Sequence, residues 1–282
     1  MMRLAITLLA ALPALAQVAP PAGMRANRDT YHPVVEIVNL QRVAVTDAQL
    51  EQIGKLALES IWGALRSLGY TNCYQAGLQS TRPKERLVGR ALTIRYLPRR
   101  PDLEQAMKQL AMEGDWPAGY NVRAAEEVKP GDVIVADLGG ELAGGVFFGD
   151  ISALGAQMKG ARGAVLWGST RDRGELENMP GFPVLAAGFD PSAATQQGVD
   201  WNIPIRVGGA TVLPGDIVVA DNEAVLFFPA SVAAQVIERA TRQDQQEEYE
   251  RKLVREQKYR FRDVYPLNPE LKRKYEEEKI KK

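Results

Sequence analysis

The residues best suited to chemistry are two aspartates and an arginine placed around a glycine-rich stretch. Gly149 and Asp150 precede an apolar periodic segment, and Arg171 and Asp172 follow a short apolar run further along the chain. An arginine can hold a carboxylate in bidentate fashion, and an aspartate can bind a hard cation through oxygen. These residues therefore predict a site for an anionic substrate and a divalent metal. Mg²⁺ is the expected metal and Mn²⁺ the alternative, and Asp150 is expected to lie close enough to orient a water.

The segment after Gly149 is expected to form a helix over about residues 151–161, with Asp150 at or beside its cap. The free amides at such a start, here those of Ile151 and Ser152, bind carboxylates and phosphates. The simpler alternative is that Asp150 only caps the helix and that Arg171 and Asp172 form a surface turn. One apolar stripe is expected on this helix, formed by Ile151, Leu154 and Met158.

Composition excludes several other kinds of site. The chain has one histidine, His32, and one cysteine, Cys73, so it cannot build a Cys/His zinc site or an intrachain disulfide. A Ser-His-Asp triad would have to use His32, which lies in a proline-flanked N-terminal segment. Lys+Arg and Asp+Glu are 35 each, which argues against a broad basic surface for nucleic acid. No lysine lies in the apolar strand runs, which disfavours a Schiff-base mechanism.

The N-terminus is typical of a targeting segment. A basic start is followed by an apolar run from Leu4 to Ala16 that ends in an Ala-Leu-Ala cleavage site. As a helix this run would rise about 20 Å, too short for a hydrocarbon core of about 30 Å. We expect residues 1–16 to be a signal peptide cut before Gln17, so the protein would be exported, periplasmic or secreted, and free of the membrane after cleavage. Residues 17–45 are expected to be an extended arm.

The remaining pattern alternates helices with strands, which is typical of an α/β fold. A helix is predicted from Thr46 to Leu68, with Thr46 as its N-cap, and further helices over 102–113 and from 231 onward. We predict one domain over 46–240 and a charged C-terminal helix and tail over 241–282. The predicted strands are Leu87–Leu97, Val133–Leu138, Ala164–Trp167, Val184–Ala186, Ile217–Ala220 and Ala224–Phe228.

Two further patterns have simple structural explanations. The sequence Pro130–Asp137 returns almost unchanged as Pro214–Asp221, which predicts two similar turn–strand units rather than two aspartates at one site. In the tail, acidic and basic residues are interleaved, which favours a solvated helix stabilised by i,i+4 ion pairs over a basic binding face. That helix is expected to end near Pro266, with a loose tail after it.

Several motifs, in order along the chain, resemble the RraA-like family, which includes 4-hydroxy-4-methyl-2-oxoglutarate aldolase. The resemblance runs from about residue 46 to about residue 250. It is carried by Val88–Thr93, Pro130–Asp132, Gly144–Asp150, Arg171-Asp172, Gly181–Val184 and Val207–Asp216.

The resemblance implies a layered, swivelling β/β/α fold and a class II aldolase that cleaves 4-hydroxy-2-oxo acids to pyruvate and a carbonyl product. Oxaloacetate decarboxylation is an expected side activity. The resemblance assigns the metal to Asp172, the pyruvoyl end to Arg171, a water on the metal to Asp150, and the substrate carboxylate to the backbone of residues 149–152. It also implies a homotrimer or hexamer, to which a neighbouring copy contributes a glutamate, with Glu247 the nearest candidate and Glu248 beside it.

Two other functions stay open at this point. The family also contains regulators that bind and inhibit RNase E, so the chain could be a non-catalytic interaction protein. It could also be a binding protein for small oxo acids that has no turnover.

Overall fold

The computed structural model describes residues 44–113 and 119–280. The helices of this part are α1 Asp47–Lys55, α2 Leu58–Ser67, α3 Pro101–Glu113, α4 Tyr120–Glu127, α5 Asp150–Met158, α6 Arg173–Glu177, α7 Ala233–Glu256, α8 Phe261–Val264 and α9 Pro269–Ile280. Its strands are β1 Tyr74–Ala76, β2 Gln79–Ser80, β3 Leu87–Pro98, β4 Asp132–Asp137, β5 Gly163–Thr170, β6 Val184–Phe189, β7 Gln196–Trp201, β8 Ile205–Val207, β9 Ala210–Val212, β10 Ile217–Ala220 and β11 Ala224–Phe228. The predicted signal peptide and nearly all of the predicted arm lie outside these residues.

The centre of the described part is a nine-stranded sheet in the order β1-β11-β10-β3-β4-β5-β6-β2, with β7 also paired to β3. Strands β3, β4, β5 and β6 are parallel neighbours, so their carboxyl ends meet at one edge. Ligand groups commonly lie in the crevice at that edge of an α/β sheet. Strand β3 continues past the end of β4 and pairs there with β7, Tyr96 opposite Gly198 and Pro98 opposite Gln196.

Alternate residues of the sheet belong to different cores, as the two-residue period of a strand requires. On β4, Ile134 and Ala136 face the core that contains α4 and α5, whereas Val133 and Val135 face the core under the β8–β9 hairpin. A separate core joins α1, α2 and α7 to β10 and β11. The hairpin, the large sheet and the helices thus form three layers, which confirms the predicted α/β class and its β/β/α layering.

The helix predicted from Thr46 to Leu68 is wrong in one respect, because this segment forms two helices. Thr46 caps α1 as predicted, in a capping box with Gln49. The chain then turns extended at Leu56 and begins α2 after Ala57. Two distant residues hold this break: Arg86 donates to the Leu56 carbonyl at 2.7 Å, and the Ala57 amide donates to Asp244 at 3.0 Å.

The predicted loose tail is also wrong. Helix α7 ends at Glu256 rather than near Pro266, and α9 is an ordered helix that packs back on α7. Leu253, Val264 and Leu271 form a small buried cluster there, and the Tyr249 and Tyr275 rings lie 5.2 Å apart. The predicted ion pairs do occur along α7, for example between Arg251 and Glu247 at 2.9 Å. The boundary expected at 240/241 falls inside α7, which is continuous.

The two repeated turn–strand units run in opposite directions in the sheet, so their last aspartates lie at opposite ends of the strands. Asp137 ends β4 at the edge where the parallel strands finish. Strand β10 runs antiparallel to β3, with Ala220 opposite Leu87, so Asp221 lies where β3 begins. The two aspartates therefore do not share a site, as the simpler interpretation predicted. None of the described helices has the length and apolar character needed to cross a membrane.

Candidate functional site

The glycine-rich stretch lies against the end of β5 almost as an extra strand. Val146 forms a parallel bridge with Ser169, the Phe147 amide donates to the Ser169 carbonyl at 3.1 Å, and the Ser169 amide donates to the Gly145 carbonyl at 2.8 Å. Thr170 is fully buried, and its hydroxyl donates to the Phe148 carbonyl at 2.8 Å. These bonds fix the loop at the carboxyl edge of the sheet, just before α5 begins.

The other end of this loop is held by residues that follow β6. The Gly144 amide donates to the Asp190 carboxylate at 2.5 Å, and the Thr195 amide donates back to the Gly144 carbonyl at 2.8 Å. Hydrogen bonds from Gly144 and then from Ser192 lower the pKa of Asp190. Gly144 has φ of +71°, and a side chain there would meet Thr195. Asp190 and Thr195 thus position the loop without belonging to the predicted site.

The predicted site residues meet where α5 begins. Gly149 is the N-cap of α5, and the Asp150 amide donates to the Asp172 carboxylate at 3.3 Å. A Cβ atom on Gly149 would overlap the Asp172 carboxylate and lie 3.0 Å from Arg171 Nε. Only glycine allows the loop to approach the Arg171–Asp172 pair this closely.

Arg171 and Asp172 occupy the turn directly after β5. Arg171 Nε lies 3.5 Å from the Asp172 carboxylate, and their side chains are 46% and 37% exposed, so both can meet a ligand. Asp172 has φ of 57° and ψ of 41°, a left-handed conformation that is uncommon for residues other than glycine, asparagine and aspartate. Strain of this kind persists where surrounding contacts enforce it, often at functional sites.

The remaining predicted residues have different surroundings. The Ser152 hydroxyl accepts a hydrogen bond from Asn121 at 3.1 Å, which ties α5 to α4. Ile151, Leu154 and Met158 form the expected stripe, but it faces outward, with 81%, 51% and 77% exposed. Glu247 lies on α7, where it pairs with Arg251 and Gln243. Because α7 packs beside β10 and β11, the fold of one chain does not bring Glu247 to the Arg171–Asp172 pair.

A cavity of about 230 Å³ opens beside the Arg171–Asp172 pair and the start of α5. Gly149 and Arg171 form part of its lining, and the extension of β3 with β7 forms another part. Burial raises the pKa of Tyr120 to about 12 and raises that of Tyr96 as well, so both phenols stay neutral hydrogen-bonding groups near neutral pH. Sequence reasoning missed four of the polar residues that line this cavity, namely Tyr96, Arg99, Tyr120 and Gln196.

The residues present fit a cation that is only partly bound by protein. Among residues 44–113 and 119–280, no three His, Cys, Asp or Glu side chains converge as a metal cluster. Asp172 supplies one accessible carboxylate beside Gly149, a residue that lines the cavity. Mg²⁺ is commonly held by one or two carboxylates together with waters and substrate oxygens. A cation of that kind fits here, whereas a cage made wholly of protein ligands does not.

Fold and site together define an α/β protein of three layers with an arginine–aspartate pair and a helix N-terminus at one cavity. The RraA-like family model, described as Aldolase/RraA, matches residues 34–227. The chain therefore belongs to the RraA-like family.

Among curated relatives, the 4-hydroxy-4-methyl-2-oxoglutarate aldolase of Thermus thermophilus is 36% identical over 108 residues, which are 38% of this chain and 65% of that protein. This chain spans less than two thirds of the length of the first curated relatives that it matches.

Two solved structures show a similar fold. An uncharacterized protein from Pseudomonas syringae pv. tomato is 24% identical, with a TM-score of 0.66 over 81% of this chain and 97% of that chain. Streptomyces coelicolor RraAS2, described as an unusual member of the RNase ES inhibitor RraA protein family, is 25% identical. Its TM-score is 0.62 over 73% of this chain and 98% of its own.

Proposed function

We propose that the protein is a divalent-metal-dependent carbon–carbon lyase that cleaves 4-hydroxy-2-oxo acids to pyruvate and a carbonyl product. The observation that carries the proposal is the close approach of Gly149, the Asp150 amide and the Arg171–Asp172 pair beside one cavity. The name of the Thermus relative supports the same chemistry. A second supporting feature is the donor set, which offers an anion site, a guanidinium and a hard-cation ligand.

The substrate would lie with its keto acid end at the start of α5. The backbone of residues 149–152 would bind the C1 carboxylate, because amides at a helix N-terminus attract anions. Arg171 would hold the keto oxygen and the negative charge that develops on it. A divalent cation bound at Asp172, Mg²⁺ or Mn²⁺, supplies Lewis-acid stabilisation of that same charge.

Asp150 would orient the water that removes the C4 hydroxyl proton. As that proton leaves, the C4–O bond becomes a carbonyl and the C3–C4 bond breaks. Its electron pair passes to C3 and the keto oxygen as the enolate of pyruvate, which gains a proton at C3. Oxaloacetate decarboxylation passes through the same enolate, so we expect it as a side activity.

The direct test measures pyruvate release from 4-hydroxy-4-methyl-2-oxoglutarate and from oxaloacetate, with Mg²⁺ or with EDTA. Asp172→Asn removes the carboxylate charge, while asparagine still tolerates the left-handed backbone at this position. We expect metal-dependent turnover in the wild type and a loss of at least a hundredfold in Asp172→Asn. Arg171→Lys should lose the bidentate contact with the substrate. Arg173→Lys is the matched control, because Arg173 is exposed and forms an ion pair with Glu177.

Other outcomes of this assay identify the competing functions. If the wild type releases no pyruvate from either substrate, with Mg²⁺ or with Mn²⁺, the proposed lyase activity is contradicted. Retained binding of 2-oxo acids in that case would indicate an oxo-acid binding protein. Absence of both binding and turnover would favour a non-catalytic interaction protein.

We further propose that the protein is a homotrimer or hexamer with the site beside an interface, where a neighbouring copy contributes Glu247. The outward stripe of Ile151, Leu154 and Met158 supports this, because it adjoins the site and exposes apolar side chains that a second copy would cover. Light scattering should give three or six times the monomer mass, and Leu154→Glu should reduce both that mass and the activity. A monomeric, active wild type would contradict it.

Export is also a proposal, supported by the pattern of residues 1–16. Mass spectrometry of the mature protein from its host should find Gln17 as the N-terminus, in the periplasm or the medium. Recovery of the chain with Met1 from the cytoplasm would contradict it. The mature protein is expected to bind neither nucleic acid nor membrane.

A further inference from the structure

The cavity beside the proposed site contains a second arginine that the pyruvoyl end does not need. Arg99 directly follows β3, whereas Arg171 directly follows β5. Strands β3 and β5 flank β4 in the sheet, so both arginines lie beyond the same carboxyl edge. Both residues line the same cavity. A ligand in this cavity can therefore meet two guanidinium groups.

The contacts of Arg99 leave it able to bind a ligand. Its Nη1 lies 3.2 Å from Glu104, and its Nη2 donates to the Ala194 carbonyl at 3.2 Å. A guanidinium has five N–H donors, and within the described residues these two contacts use two of them. The Arg99 side chain is 51% exposed, and an ion pair of that kind contributes little stability. A ligand carboxylate can therefore join or replace Glu104 at small cost.

A second observation points to a ligand in the same cavity. Gln196 lines this cavity and is buried, with 7% of its surface exposed. Its Nε2 donates a hydrogen bond to the Leu138 carbonyl at 2.9 Å. Its Oε1 is buried and has no partner among the described residues. An acceptor left in that state is costly, and a substrate hydroxyl or a water can supply the donor. The part of the lining that Gln196 forms is thus polar rather than a packed core.

We infer that Arg99 is the specificity-determining residue of this site and selects substrates with a second carboxylate at the end remote from the keto acid. The inference rests on the proposed function. Arg171 and the α5 N-terminus hold the 2-oxo acid, and Arg99 holds the distal carboxylate. The substrates selected are 4-hydroxy-2-oxo diacids, and their monoacid analogues lack one of the two arginine contacts.

The test measures binding as well as turnover. Calorimetry with Mg²⁺ compares 2-oxoglutarate with 2-oxopentanoate, which has the same chain length and a methyl group in place of the distal carboxylate. Turnover compares 4-hydroxy-4-methyl-2-oxoglutarate with 4-hydroxy-2-oxopentanoate. The variants are Arg99→Gln, Arg99→Lys and the control Arg100→Gln. Arg100 is the next residue, is 72% exposed, pairs with Asp102 and is not part of this cavity's lining.

We expect the wild type to bind the diacid at least tenfold more tightly than the monoacid. Loss of a charged hydrogen bond predicts a drop of about 10- to 100-fold in diacid affinity and kcat/KM for Arg99→Gln, with the monoacid unchanged within twofold. Arg99→Lys should retain part of the preference, because it keeps the charge but loses the planar fork. Arg100→Gln should match the wild type.

Three results would overturn the inference: no diacid preference in the wild type, an unchanged preference in Arg99→Gln, or equal losses on diacid and monoacid. Each of them can occur while the wild type still releases pyruvate, in which case the proposed function stands without Arg99. If the wild type neither binds nor cleaves any of the four acids, the proposed function itself fails and the inference fails with it.

Discussion

Replacing Gly149 by alanine would show whether the approach of the glycine-rich loop to Asp172 is needed for activity. Gly149 has φ of −121°, which alanine adopts without strain, so the backbone contributes no penalty. The added methyl group would overlap the Asp172 carboxylate and lie 3.0 Å from Arg171 Nε and 3.2 Å from Arg171 Cγ. The substitution therefore acts on the two side chains to which the proposal assigns the substrate and the metal.

The expected effect separates activity from stability. Arg171 and Asp172 are each more than one third exposed, so they can turn outward rather than strain the fold. Gly149 itself is buried, but only these two partly exposed side chains have to move, so the free energy of unfolding should change by less than about 1 kcal/mol. A displacement of about 1 Å at a reacting centre can cost about a hundredfold in rate, so kcat/KM for pyruvate release should fall by about 10- to 100-fold.

The assay couples pyruvate release to lactate dehydrogenase and follows NADH, with thermal unfolding measured on the same samples. Gly174→Ala is the matched control, because nothing lies within 4 Å of a Cβ built on Gly174, which is in α6. It should keep wild-type activity and gain roughly 0.5–1 kcal/mol of stability from the better helix former. A folded Gly149→Ala protein with wild-type kcat/KM would refute the reasoning.

Two further predictions concern the loop anchor and the C-terminal helices. Asp190→Asn should lower kcat/KM and loosen the loop. Because the pKa of Asp190 is lowered in the folded protein, its charge stabilises the fold at pH values above the unfolded pKa near 4. That stabilisation is lost as the pH falls below this value. Unfolding curves should therefore show wild type and Asp190→Asn converging in acid, and a difference that stays constant with pH would contradict this. Leu271→Ala removes a side chain that is 1% exposed, at a typical cost of 2–5 kcal/mol. Hydrogen exchange should show α9 losing protection while β4 and β5 keep theirs, and unchanged exchange in α9 would argue against its packing.

The buried strands were predictable because their patterns are local. Ile217–Ala220 and Ala224–Phe228 are short apolar runs bounded by turn residues, and both have the predicted limits. The start of α5 was also predictable, from Gly149 and Asp150 followed by apolar periodicity. These signals lie within a few residues of each other, so sequence reasoning could use them.

Features that depend on distant residues were not predictable. The break between α1 and α2 is held by Arg86 and Asp244, which are remote in sequence, so the apolar period over Thr46–Leu68 looked unbroken. Strand β7 begins with Gln196 and Gln197 and forms only because the extension of β3 offers it a partner. Arg99 therefore had no visible relation to Arg171 until the sheet order placed both strand ends at one cavity.

The outward stripe on α5 has a related explanation. Apolar spacing predicts that Ile151, Leu154 and Met158 share a face, and they do, but spacing cannot say what covers that face. Within one chain, Ala153 and Ala156 on the opposite side of α5 are the residues that pack into the core. Small residues there let the helix lie close to the sheet, which leaves the larger apolar residues for another surface.

The most direct test of the central claim asks whether the site generates the enolate of pyruvate, whatever the natural substrate is. Pyruvate in D₂O with Mg²⁺ and the wild-type protein should exchange its methyl protons for deuterium, as followed by proton NMR. Asp172→Asn, Arg171→Lys or added EDTA should slow that exchange by at least tenfold, because each weakens the groups that hold the negative charge. Exchange at the wild-type rate in Asp172→Asn, or none in the wild type, would contradict the assignment of this site.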